Sequence, residues 1–300
     1  MRMAKSHVLM LLYTILIASS FPITANVTHE IHPISLNLLR FLIAVIALTP
    51  FLLSIPSARK AVSKTIVKGF ILGFFYCSFF VLMFMSLKYT SVLNTGTIHT
   101  MTPFITALVS AFILKYRIKK VELVAYLVGI VGTLWVIFKG DLQALLGLHL
   151  NYGDGLFFVG VLCAAFYIVL MKYFTKPGEI LAMMFSSLVG GAVIMLTTML
   201  VFKIPFYWDK LPKDEYSNIL FLAIGTTLLT AYIIQQASPH LTPSKISAYI
   251  YLTPACVLVI NAIYYNHLPK VILLPGIVLS VVATFLLQKY GDSDIKKVRS

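Results

Sequence analysis

Ten long runs of apolar residues, separated by short polar connections, constrain this 300-residue chain more than any other feature. A helix needs about 20 apolar residues to cross a bilayer, and each run approaches that length. Because backbone polar groups cannot stay unbonded in lipid, runs this long and continuous predict helices rather than strands. The expected spans are 6–24, 34–55, 66–87, 91–114, 121–138, 154–172, 180–202, 217–236, 243–265 and 271–288. We therefore expect an all-α polytopic membrane protein with ten transmembrane helices.

Composition excludes a soluble globular protein. Hydrophobic residues make up 59% of the chain and charged residues 11%, against roughly 45–50% and about 25% in soluble proteins. A net charge of +14 would suggest nucleic acid as the partner of a soluble protein. Here the basic residues lie almost entirely in the connections, so we expect a lipid bilayer as partner and no nucleic acid.

The distribution of charge predicts an orientation. An even number of spans places both termini on one side, and with the amino terminus inside, the basic residues favour the cytoplasmic side by about three to one. Arg2 and Lys5 before the first run also fit a cleavable signal peptide, whose removal would leave nine spans. We favour ten spans with both termini in the cytoplasm.

Internal similarity divides the chain into residues 1–150 and 151–300. Shifts of 151 and 145 residues superimpose Thr102-Pro103 on Thr253-Pro254, Gly132-Thr133-Leu134 on Ala283-Thr284-Phe285, and Ser19-Ser20-Phe21 on Ala164-Ala165-Phe166. Each half holds five spans, an odd number, so the two halves must enter the membrane in opposite directions. Inverted five-helix repeats are typical of secondary transporters, whose substrate site lies near the midplane between the repeats.

Several short segments carry a resemblance to a known family. They are Leu39-Arg40-Phe41, Ser86-Leu87-Lys88-Tyr89-Thr90-Ser91, Thr102-Pro103, Gly153-Asp154-Gly155, and Ala237 through Pro254. In these segments the chain resembles the EamA-type members of the drug/metabolite transporter superfamily. The resemblance implies a transporter in the bacterial inner membrane that exports amino acids, other small metabolites or amphipathic drugs. Carriers of nucleotide sugars or other phosphorylated metabolites, from the same superfamily, are the alternative.

One departure from the family concerns energy coupling. The family often has a glutamate thirteen residues after each of the two prolines, where this chain has Tyr116 and His267. Proton-driven carriers commonly use a buried carboxylate. Coupling therefore stays open among a proton carried by His99, solute exchange, and passage of a solute down its own gradient.

Arg40 and His99 lie inside apolar spans, where ionisable groups are expensive and mark candidate sites. Arg40 would attract a carboxylate or phosphate from a central cavity, or alternatively extend its side chain to the outer headgroups. His99 would bind substrate or carry a proton, or alternatively stay neutral and bond a neighbouring carbonyl or hydroxyl. The repeat places Phe185 and Ile250 at the equivalent positions, so this pair breaks the internal symmetry.

Hydroxyl and phenol groups complete the predicted substrate site. Threonines spaced as on one helical stripe turn toward other helices or water, although the same stripe also suits packing. Deep tyrosines offer a flat apolar surface and one hydrogen bond. The further candidates are Thr95, Thr102, Thr227, Tyr76, Tyr167, Tyr249 and Tyr251, and we expect Pro103 and Pro254 to kink their helices. We expect the cavity to be bordered by Arg40, Tyr76, His99 and Tyr251.

Missing motifs weigh against other functions. Acidic residues do not cluster within the spans, and the chain has neither a Gly-x-x-x-x-Gly-Lys phosphate loop nor a Gly-x-Ser-x-Gly elbow. We therefore expect no enzyme, no metal and no cofactor, and the even span count disfavours a seven-helix receptor. Paired glycines such as Gly190 and Gly191 permit close helix approach, which suits packing, a hinge or a dimer face. We expect a monomer or a weak homodimer.

Overall fold

The computed structural model describes residues 2–27, 31–213, 215–265 and 270–291, and within these ranges all regular structure is helical. The α-helices are α1 (Arg2–Val27), α2 (Pro33–Ser54), α3 (Pro56–Ser86), α4 (Val92–His99), α5 (Thr102–Ile113), α6 (Lys120–Ile137), α7 (Leu142–Leu146), α8 (Tyr152–Phe174), α9 (Ile180–Val201), α10 (Glu215–Phe221), α11 (Thr230–Ala237), α12 (Pro243–Ala248), α13 (Thr253–Tyr265) and α14 (Leu274–Tyr290). Short 3₁₀ segments cover Trp208–Lys210, Tyr249–Leu252 and Val271–Leu273, and a π-helix covers Leu222–Leu229.

These elements form ten spans, which confirms the predicted fold class. Nine segments of the described chain are long and apolar enough to cross a membrane, and α1 adds the shorter apolar stretch Ala4–Ser20. In chain order the spans are α1, α2, α3, α4 with α5, α6, α8, α9, α10 with α11, α12 with α13, and α14. The short α7 in the connection between the halves is not predicted by the sequence pattern.

Proline fixes where several helices begin. Pro33, Pro56 and Pro243 each occupy the first turn, where the missing N–H is not needed. Span 3 therefore begins at Pro56, well before the predicted residue 66, and reaches 31 residues. At 1.5 Å per residue it is about 46 Å long, so its basic first turns extend beyond a hydrocarbon core of about 30 Å.

Spans 4 and 9 are both interrupted immediately before their Thr-Pro pair. Span 4 breaks between His99 and Thr102, and span 9 passes through the 3₁₀ segment that precedes Thr253. Pro103 has no N–H for the carbonyl of His99, and that carbonyl instead accepts from the Thr102 hydroxyl at 2.7 Å. The two breaks are related by the 151-residue shift that superimposes Thr102-Pro103 on Thr253-Pro254.

The two halves are inverted relative to one another. Spans 5 and 10, which are equivalent in the repeats, run antiparallel: the Trp135 indole donates to the Ile272 carbonyl at 2.7 Å, and Lys119 at the other end donates to the Tyr290 carbonyl at 3.4 Å. Packing also recurs when the halves are exchanged, since span 3 packs on spans 6 and 7 while span 8 packs on spans 1 and 2.

Glycines bring the halves into close contact at their shared interface. A Cβ atom added to Gly73 in span 3 would lie 2.5 Å from the Gly191 nitrogen and from the Ser187 carbonyl oxygen in span 7. Only a hydrogen in place of a side chain permits this approach. The main apolar core lies around this interface and includes residues from both halves.

Candidate functional site

Arg40 in span 2 is buried at the interface between the halves, with 2% of its surface exposed. Its Nη1 donates to Asn37 Oδ1, one turn away, at 3.1 Å. Its Nη2 donates to the hydroxyls of Thr226 and Thr227 in span 8 at 3.1 and 3.0 Å, and its Cζ lies 4.8 Å from the centre of the Phe80 ring. The guanidinium therefore bridges the two halves inside the protein and is not exposed at its surface.

The π-helical segment of span 8 explains how two consecutive threonines reach one guanidinium. Consecutive residues of an α-helix point about 100° apart, and the wider π turn reduces that angle. The hydroxyls of Thr226 and Thr227 both donate to the Leu222 carbonyl, at 2.8 and 3.0 Å. Because each hydroxyl donates within its own helix, its oxygen stays able to accept from Arg40.

Two stacked tyrosines from opposite halves extend this cluster. Tyr76 in span 3 and Tyr167 in span 6 have ring centres 4.5 Å apart, and the Tyr76 hydroxyl donates to the Thr227 carbonyl at 3.1 Å. Tyr76 also meets Phe80 edge-on at 5.2 Å. The structure thus brings Arg40, Tyr76, Tyr167 and Thr227 together, and we call these four residues with Asn37, Phe80 and Thr226 the Arg40 cluster.

Polar atoms in and beside the cluster keep unused bonding capacity. Arg40 Nε, the Tyr167 hydroxyl and both polar atoms of the Gln235 side chain are buried without a well-formed hydrogen bond to another described residue. No carboxylate of the described chain pairs with the Arg40 guanidinium. Asn37, Thr226 and Gln235 are absent from the predicted site. Asn37 lies three residues before Arg40 on the same helix face, and Thr226 directly precedes the predicted Thr227.

His99, in span 4, lies apart from the Arg40 cluster and packs against another face of span 3. Its ring centre is 6.2 Å from those of Phe79 and Phe157, and its Nδ1 is 3.3 Å from the Thr102 hydroxyl. Phe79 and Phe80 are consecutive in one helix, so His99 and the guanidinium contact different faces of it. A role for His99 in binding or proton transfer stays a prediction.

The tyrosines predicted from span 9 also lie elsewhere. The Tyr251 hydroxyl donates to the Tyr126 carbonyl in span 5 at 3.2 Å, and its ring lies where a side chain at Gly129 would be. The Tyr249 hydroxyl is 2.8 Å from His7 Nδ1, near the start of span 1. Arg40 with Tyr76, His99, and Tyr251 thus have different immediate neighbours, and the single cavity that they were expected to border stays a prediction.

The two candidate threonines of span 4 bond to carbonyl groups of their own span. Thr95 donates to the Ser91 carbonyl at 3.3 Å, and Thr102 donates to the His99 carbonyl. Such bonds satisfy the hydroxyl donor without help from another helix, while ligand binding by either residue stays a prediction.

Two carboxylates near the ends of spans are more buried than their positions suggest. Asp154 is 3% exposed and accepts from the Thr90 hydroxyl at 2.5 Å and from Asn94 Nδ2 at 2.9 Å, which ties the halves together at the start of span 6. Glu122 accepts from the Tyr116 hydroxyl at 2.5 Å, so a carboxylate lies beside a position where the family resemblance implies one. The other such position, His267, lies outside the described residues.

Comparisons with known proteins agree with this architecture. The profile of the EamA-like transporter family matches twice, over residues 4–138 and 151–288. The chain is 29% identical over 174 residues to a Bacillus subtilis (strain 168) protein named "Uncharacterized transporter YyaM". That alignment spans 58% of this chain and 57% of the relative. A solved crystal structure superposes with a TM-score of 0.73 at 17% identity, covering 99% of both chains, and at that identity the likeness shows the fold alone.

Proposed function

The chain belongs to the EamA-like transporter family, and from that premise we propose that it is a secondary or exchange transporter that exports small metabolites bearing an anionic group. Amino acids and amphipathic drugs with a carboxylate are the foremost substrates. A small-molecule substrate and a lipid bilayer are the partners of such an integral membrane transporter, and the family indicates transport rather than enzymatic activity.

The buried Arg40 guanidinium is the observation that carries the proposal. A buried charge is costly unless it is paired, and the residues that bond Arg40 are neutral hydroxyl and amide groups. A guanidinium presents a planar fork that matches a carboxylate or phosphate. An arriving anion replaces the threonine oxygens with a stronger partner, and the phenol pair of Tyr76 and Tyr167 accepts its apolar part.

The position of the cluster between the halves supports alternating access as the mechanism. Arg40 belongs to the first half and its threonine partners to the second, so relative motion of the halves opens or closes this contact. In transporters built from inverted repeats, such motion opens a central site alternately to the two sides of the membrane. We place both termini in the cytoplasm on the basis of the positive charge there, in a bacterial inner membrane, with the protein acting as a monomer or a weak homodimer.

Export measurements on cells and on vesicles test the proposal. Metabolites inside and outside cells are compared with and without the protein, and the purified full chain is then reconstituted in vesicles. The probes are amino acids paired with their amino alcohols, phenylalanine with phenylalaninol for example, together with glycerol 3-phosphate. We expect transport of the amino acid and not of the alcohol, because only the acid has the carboxylate.

The outcomes separate the two substrate classes. Selective transport of the organic phosphate assigns the protein to the phosphorylated-metabolite alternative. Equal transport of the acids and the alcohols, or no transport above that of empty vesicles, contradicts an anion site at Arg40.

A further inference from the structure

A cleft of about 610 Å³ opens at the end of span 6, on the membrane face that carries most of the basic residues. It is lined by Lys68 of span 3 and by Tyr173, Phe174, Lys176 and Pro177 of the second half. None of these residues belongs to the Arg40 cluster. The cleft is therefore a separate concave surface at the junction of the two halves.

The two lysines of the cleft keep their charges unpaired. The side-chain ammonium groups of Lys68 and Lys176 form no hydrogen bond or ion pair with any residue in the described ranges. The neighbouring Lys172 differs, because its ammonium donates to the Ser238 carbonyl. Two like charges that line one cleft repel each other, and an anion between them removes the repulsion.

The residues in and beside the cleft are typical of the level of lipid headgroups. Tyr173 is the last but one residue of its helix and is 58% exposed, as is typical of tyrosines at the membrane interface. Lys60 and Lys64 are exposed on the same face of span 3, two turns and one turn before Lys68. A basic stripe thus continues from the cleft toward the aqueous side.

We propose that this cleft binds the headgroup of an anionic phospholipid. The phosphate lies between the ammonium groups of Lys68 and Lys176, and the rings of Tyr173 and Phe174 contact the glycerol and the first acyl carbons. Basic pockets between membrane helices on the positive face suit anionic headgroups. A soluble phosphate would make the same ammonium contacts but would not contact the rings of Tyr173 and Phe174. This difference favours the lipid.

Lipid retention by the full-length protein tests this assignment. The protein is exchanged into nanodiscs of phosphatidylglycerol and phosphatidylcholine in equal parts, extracted, and its retained lipid quantified by mass spectrometry. We expect the wild type to retain phosphatidylglycerol over phosphatidylcholine by about ten-fold, and the Lys68→Gln/Lys176→Gln variant by less than about two-fold. The matched control is Lys5→Gln/Lys120→Gln, which removes the same charge from the same membrane face outside the cleft and keeps the preference.

Three results overturn the proposal. Equal retention of both lipids by the wild type shows that the cleft does not select an anion. An equal loss of preference in the control pair shows a general charge effect. Displacement of the lipid by glycerol 3-phosphate at the same concentration as phosphatidylglycerol shows that a soluble phosphate is the occupant. Each readout is independent of transport, so failure here leaves the anion site at Arg40 unaffected.

Discussion

Arg40 and His99 are ionisable side chains in apolar spans of the same half, and the structure surrounds them differently. Arg40 bonds to the hydroxyls of Thr226 and Thr227 in the other half. The polar contact of His99 is with Thr102 in its own span, and its ring neighbours are Phe79 and Phe157. One group is held by polar contacts across the repeat interface, and the other is packed as an aromatic ring.

The difference indicates that a position inside an apolar span is not enough to choose between candidate site residues. Both residues contact the other half, His99 through the Phe157 ring, but only Arg40 has polar contacts there, and we expect these to change when the halves move. A contact within one span survives that motion. We therefore expect the polar partners of an ionisable residue inside a span to distinguish a gating or substrate contact from a packing contact.

The largest effect is expected from Arg40. We expect Arg40→Gln to lower amino-acid transport in vesicles at least about ten-fold, because a charge-assisted bond to a carboxylate is worth about 1.5–3 kcal/mol. Arg40→Lys keeps the charge but loses the planar fork, so it should restore only part of the activity. Initial rates at several substrate concentrations measure the loss.

Folding controls decide whether that loss concerns the site. Lys120→Gln removes an exposed charge at the start of span 5 and should leave transport unchanged. Size-exclusion elution and thermal unfolding establish that Arg40→Gln is folded. A folded Arg40→Gln protein with wild-type transport would contradict the assignment of Arg40.

A smaller effect is expected from Thr227. We expect Thr227→Val to lower transport about three-fold, since the guanidinium keeps a second threonine acceptor. Thr197→Val is the matched control: Thr197 has a similar bond to its own helix, at 2.8 Å to the Val193 carbonyl, but is exposed. In the Arg40→Gln background the Thr227 change should add almost nothing, because the two residues act as one contact. Additive losses would show that they act separately.

Much of the fold follows from sequence patterns, and part of the site does not. The length of apolar runs predicts the spans because bilayer thickness fixes helix length, and the shared Thr-Pro pairs predict where spans 4 and 9 break. The π turn that aligns Thr226 with Thr227 has no local sequence signal. Which face of span 3 meets Arg40 and which meets His99 depends on how the helices rotate as they pack, and spacing along the chain does not determine that.

The next prediction concerns His99. We expect His99→Phe to keep transport within about two-fold of the wild type, because a phenyl ring preserves the packing against Phe79 and Phe157. His99→Ala should instead lower stability by about 2 kcal/mol through the cavity it leaves. Transport rates measured across a range of pH values provide the check. A His99→Phe protein that folds but no longer transports would restore His99 as a proton carrier or substrate ligand.

The smallest effect concerns His32, which caps span 2 about two turns before Arg40. Its Nδ1 accepts from the Ile34 N–H at 3.3 Å, and burial, assisted by the charge of Lys88, lowers the pKa of His32 below 6.5. The cap therefore contributes stability above about pH 6.5, the value for an unfolded histidine, and loses it as the pH falls through the lowered pKa.

His32→Asn keeps a capping acceptor that does not titrate, so it isolates this contribution. Between pH 7.5 and pH 5 we expect the Tm of the wild type to fall about 2 °C more than that of His32→Asn, while His99→Phe should follow the wild type. If the larger fall in Tm at pH 5 persists in His32→Asn and disappears in His99→Phe, then His99 and not His32 causes it. The packed imidazole would then be the pH-sensitive group of the first half, and its aromatic surroundings would have to open during transport.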